Sequence, residues 1–131
     1  MTNRAIFDMA IHLLAESSVS SEVEDYAQRT PSLLRLCAAD LATADEALRR
    51  SRGEDAPSVT SADFSLDAPF PLDRAFAACA GYFLASMLVL EELPALSETL
   101  YACYKERRPA SAGGPPSAWQ SESTTDRYGW V

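Results

Sequence analysis

The chain has 131 residues, of which 47% are hydrophobic and 23% charged, and its 19 acidic and 11 basic side chains give a formal net charge of −8. That length supports one domain with one modest core, and the composition is that of a globular chain, not a disordered one. The acidic balance argues against gripping nucleic acid or docking on an anionic membrane, since both demand Lys and Arg.

The first helix is expected from Asn3 to Glu16. Ile6, Met9, Ala10, Leu13 and Leu14 fall at the i, i+3, i+4, i+7, i+8 spacing of one buried stripe. No signal peptide is expected, because Arg4 and Asp8 interrupt the first apolar stretch. Ser17 to Ser20 ends this helix, and Ser21-Glu22-Val23-Glu24 reads as a capping box that starts the next. Pro31 cannot donate a backbone hydrogen bond, so that helix either kinks or restarts with Pro31 as its first residue. Leu34, Cys37, Leu41, Ala44 and Leu48 mark its buried side. Arg49, Arg50 and Arg52 suit the negative end of the helix dipole, and Gly53 stops the helix.

The stretch from Glu54 to Pro71, with three prolines, is expected to be a surface loop. Its aromatic residues, Phe64 and Phe70 among them, pin it to the body or to a neighbour. A central helix follows, from Leu72 or Asp73 to Glu92. Its uncharged segment, Ala75 to Leu90, is short of the ~20 residues a spanning helix needs, so the expectation is a helix buried on all sides and no membrane span. Pro94 opens the last helix, which ends near Arg108 with Leu93, Leu96, Leu100, Cys103 and Tyr104 on its stripe. Residues 109–118 (PASAGGPPSA) are a linker by composition. Residues 119–131 are a polar tail carrying Trp119, Tyr128 and Trp130, aromatic residues of the kind that anchor in a partner's groove; the other reading is a tail that folds back on the chain's own domain or a poorly ordered terminus. The expected fold class is therefore all-α: a helical domain over 1–108 made of a small bundle of four to five helices with a long inter-helix loop, then a linker and an extended tail.

Little in the sequence carries chemistry. Cys37, Cys79 and Cys103 are widely spaced and odd in number, which is neither a disulfide framework nor a zinc site; they read as small hydrophobes. The single histidine, His12, shares a helix face with Asp8 and Glu16, but no second ligand set accompanies it, and a solvated face is the simpler account. Gly113-Gly114 is followed by prolines, not by the Lys and Ser or Thr of a phosphate-binding loop. The Glu91-Glu92 pair sits where the helix dipole disfavours it. The expectation is a protein with no catalytic, cofactor-binding or metal site, whose candidate interface residues are Phe64, Phe70, Trp119, Tyr128 and Trp130.

The order of segments resembles the small helical head–tail connector, or head-completion, proteins of tailed bacteriophages. The residues that carry the resemblance are Tyr26, Arg29, Thr30-Pro31, Leu33 and Leu34 in EDYAQRTPSLLRL. They continue with Leu72-Asp73 leading an apolar helix through Gly81-Tyr82-Phe83-Leu84-Ala85 and Leu88 to Glu92. The proline-started helix Pro94 to Glu106 and the segment Asp126-Arg127-Tyr128-Gly129 complete the set. The chain departs from that pattern in its Ala-rich composition, its Pro/Gly linker and its Trp130-Val131. The resemblance implies a structural subunit without enzymatic activity, assembled as a homo-oligomeric ring in the virion neck and made in the host cytoplasm. Its implied partners are the portal and tail-side phage proteins, with DNA passing nearby and not specifically bound. An acidic surface suits a ring around DNA, because like charge keeps phosphates from adhering. The alternative is a free-standing cytosolic helical module that binds or regulates another protein.

Overall fold

The computed structural model describes residues 1–15 and 23–109, and these are all-α with no strand among them. The elements are α1 (Asn3–Leu13), α2 (Val23–Ser51), a 3-10 turn (Arg74–Phe76), α3 (Ala77–Leu88) and α4 (Pro94–Arg107). Glu16, Ser17 to Ser20, the Ser21 capping box, the linker beyond Pro109 and the tail lie outside the described residues.

The central helix is α3, and α1, α2 and α4 all pack on it. Its sequence explains this. With no charged side chain and small residues at Ala77, Ala80, Gly81 and Ala85, it offers close approach on every face, and Phe83, Leu84 and Leu88 fill the spaces between. At Gly81 a Cβ would lie 2.6 Å from the Met9 sulfur, so the missing side chain leaves room for the Met9 side chain of α1. Burying Leu84 and Leu88 completely is worth about 2 kcal/mol each. The α-helical part of this segment is 12 residues long, and no helix among the described residues is long and apolar enough to cross a membrane.

The second helix does not restart at Pro31; it runs unbroken from Val23 to Ser51. Its buried stripe stays in phase through the proline: Tyr26, Thr30, Leu34, Cys37, Leu41 and Asp45 are all buried. An interior proline costs about 3 kcal/mol, and burial on both sides of it holds the helix together. The Thr30 hydroxyl donates to the Tyr26 carbonyl at 2.7 Å in the same turn. At the far end Gly53 has φ +72°, Glu54 N–H donates to the Arg49 carbonyl (2.8 Å) and Gly53 N–H to the Arg50 carbonyl (3.1 Å). That pair of bonds is a Schellman stop, for which glycine is suited because it adopts positive φ without a Cβ clash.

The segment between Ser51 and Arg74 forms no helix, yet it is bound closely to the body. It supplies hydrogen-bond acceptors to the start of α1: Asn3 N–H donates to the Ala68 carbonyl (2.9 Å) and Arg4 N–H to the Leu66 carbonyl (2.8 Å), while Phe70 N–H donates to the Met1 carbonyl (2.9 Å). The first N–H groups of a helix have no partner within it, and here a loop more than sixty residues away in sequence provides them. The Asn3 side chain is fully buried and donates to the Ser65 carbonyl at 2.9 Å.

Candidate interaction surfaces

Phe64 and Phe70 are buried in the chain's own core, at 2% and 7% exposure. Of the two fates open to the loop aromatics, the structure shows the first: they pin the loop to the body. Arg35 reinforces this from α2, lying 4.8 Å over the Phe64 ring and donating to the Thr60 and Ala62 carbonyls, both at 3.3 Å. Trp119, Tyr128 and Trp130 lie outside the described residues.

Two arginines at the end of α2, Arg49 and Arg52, clamp the same loop. Arg49 Nε donates to the buried Asp45 carboxylate (3.0 Å), whose other oxygen accepts the Asp73 backbone N–H (2.8 Å). Arg52 pairs with Asp73 at 2.8 Å, and Arg50 lies 3.8 Å from Glu46. Asp73 in turn accepts the Ala75 N–H at the start of the 3-10 turn, and that bond first, with the Arg52 pairing assisting, holds its carboxyl below the usual range. The three guanidinium groups are thus engaged with the chain's own carboxylates.

No group of three His, Cys, Asp or Glu side chains among the described residues is placed to hold a metal ion; His12 and Asp8 are exposed. Burial pushes the Cys37 thiol far up, with the nearby Cys79 and Asp40 adding to it, and burial raises Cys79 to about 11. At neutral pH both are thiols, whereas nucleophilic attack needs the thiolate.

A different feature, invisible to the sequence reading, stands between α2 and the end of α4. The Tyr104 ring is fully buried against Phe83 (centroids 5.1 Å apart, edge-on), and its hydroxyl donates to the Asp40 carboxylate. Arg108 donates to the same Asp40 oxygen at 2.9 Å and lies over the Tyr104 ring. Tyrosine's hydrogen bond, seconded by Arg108, holds the Asp40 carboxyl below the usual range, while burial and that carboxylate push the Tyr104 hydroxyl up. Beside this cluster opens a groove of about 500 Å³, with Leu41 and Ala44 from α2 facing Lys105 from α4 and Arg108 just past its end, and Pro109 at its rim.

Arg29 is the other side chain whose role pattern reading missed. It donates to the Leu88 carbonyl (3.4 Å) and the Met87 carbonyl (3.3 Å), placing a cation at the negative end of α3. Glu91 and Glu92, the pair that this end disfavours, are solvent-exposed in the following turn.

Comparison with protein-family models, with curated proteins and with solved structures returns no match.

Proposed function

We propose that the chain is a structural subunit of a phage head–tail connector, a ring that joins portal to tail and carries out no catalytic step. The observation that carries the reading is that two separate segments of the resemblance meet in space. In the first, Tyr26, Thr30 and Leu34 are buried, and Arg29 reaches the C-terminal carbonyls of the second, the apolar helix that ends at Leu88. A pairing that ties a long helix to the end of a buried central helix gives both segments a common structural reason to occur in this order. The net charge of −8 suits a channel lining past which phosphates must move without adhering. Such a ring is cyclic and heterologous, so each subunit presents two different surfaces to its neighbours. The pinned loop supports a rigid subunit.

The genomic neighbourhood and the particle test this together. Genes for a portal, a major capsid protein and tail proteins should flank the coding sequence, and an antibody to the chain should label the neck of purified virions. A gene set among unrelated functions, with no chain detectable in particles, would leave the free-standing binding module as the reading.

A further inference from the structure

We propose that the groove between α2 and α4 is the docking site for the chain's own segment Trp119–Val131, with the Trp119 indole seated against Ala44. The first argument is tethering. The chain leaves α4 at Pro109, on the rim of the groove itself, and only residues 110–118 separate that rim from Trp119. Ten residue steps reach at most roughly 35 Å, far more than the return requires. A short tether of this kind gives an effective concentration in the millimolar range, which favours the chain's own segment over that of a second copy.

The second argument is chemical fit. The volume of about 500 Å³ lies within the range of small-ligand pockets. Half-buried Ala44 supplies an apolar patch of floor over the buried Leu41, and Lys105 and Arg108, which lie over the Tyr101 and Tyr104 rings, set cations at its rim. Asp40 and Thr43 supply oxygen acceptors for an indole N–H, which can only donate. The surface also continues past the groove: Leu36, one turn before Asp40 on the same face of α2, is 61% exposed and extends the apolar track for the residues that follow Trp119.

The proposal concerns the chain by itself and stands apart from the ring reading. Its test uses the fact that the chain's only two tryptophans are in this segment, so tryptophan emission reports on the segment alone. In the full chain carrying Trp130→Phe, Trp119 should emit to the blue of a free tryptophan peptide and resist acrylamide quenching. Adding Thr43→Arg, which fills the groove, or Lys105→Glu, which reverses a rim charge, should raise the quenching constant several-fold, towards the free-peptide value. Both positions are exposed, and far-UV circular dichroism should match the parent, which excludes unfolding as the cause. The shielding should persist unchanged on dilution. Free-peptide quenching in the Trp130→Phe chain would overturn the proposal. So would shielding that both groove variants leave intact, which would put the segment elsewhere. Shielding lost on dilution would make the occupant a second copy and overturn it equally.

Discussion

Asp40 and Asp45 stand five residues apart on the same helix, and they do opposite things. Asp45 is sealed, with 2% of its side chain exposed, and both oxygens are taken by Arg49 and by the Asp73 backbone. Asp40 is 44% exposed at the mouth of a groove, and only one of its oxygens takes the bonds from Tyr104 and Arg108. The first closes a loop onto the body; the second sits where the described chain runs out towards its tail. Equal chemistry has become a structural clip on one side of α2 and an open surface on the other. What separates them is the loop: on the Asp45 side it covers the helix, and on the Asp40 side only Tyr104 and Arg108 reach the carboxylate, leaving it 44% exposed.

Substitutions can break this contrast in order of expected size. Leu84→Asp removes the floor that both sides share, because it buries an unpaired charge at a fully enclosed position of α3. Circular dichroism should find the variant unfolded at room temperature, and a folded variant would mean that α3 is not the common core. Asp45→Ala should cost about 2–3 kcal/mol in urea unfolding, since it removes the buried acceptor of Arg49 Nε and of the Asp73 N–H and leaves Arg49 only the Pro71 carbonyl (3.4 Å) and Glu54 (3.9 Å). Phe64→Ala should cost a similar or slightly smaller amount, about 2–3 kcal/mol, as expected for truncating a buried aromatic that the loop can partly collapse upon. A loss below about 1 kcal/mol at Phe64, the level of an ordinary surface change, would show that the loop is an appendage and that the sealed side is no more closed than the open one.

The sequence made the helices legible because their signals are local. Ile6, Ala10 and Leu14 repeat at helical spacing, and all three are buried. Gly53 signals its own left-handed turn, and the uncharged run bounded by Arg74 and Glu91 holds the buried Phe83, Leu84 and Leu88. The features that define the two sides of α2 are not local. The Asp40–Tyr104 bond spans 64 residues, Arg29 to the Met87 carbonyl spans 58, and Asn3 to the Ser65 carbonyl spans 62. No period of 3.6 encodes such pairings. Pro31 misleads for a related reason: its local cost is visible, whereas the burial of Tyr26 and Leu34 that overrides it is tertiary. The loop aromatics were ambiguous in sequence because a ring in an irregular segment carries no face. Phe64 and Phe70 turned inward, and the candidate surface moved to a groove whose lining residues, Thr43 and Lys105 among them, form no motif.

The smallest expected effect bears most directly on the open side. Asp40→Asn keeps an oxygen for the Tyr104 hydroxyl and removes the charge facing Arg108. Because the side chain is nearly half exposed, solvent screening limits the loss at neutral pH to about 1 kcal/mol or less. Its pH dependence is the sharper signature. The folded carboxyl lies below its ordinary value of 3.8, so the unfolded chain binds its proton first on acidification. The stabilisation is therefore complete above about pH 5 and is lost as pH falls through 3.8 towards the lowered folded value. Thermal unfolding followed from pH 6 downwards should show a shallower acid decline in Asp40→Asn than in the parent. A residual slope should remain, because Asp63 and Asp73 are lowered in the same direction by backbone hydrogen bonds that the substitution leaves in place. Asp45→Asn offers the matched comparison: it should lower stability substantially at pH 6, where Asp40→Asn changes little. Equal losses at pH 6 would mean that the two carboxylates are equally structural, and the rim of the groove would then be part of the core.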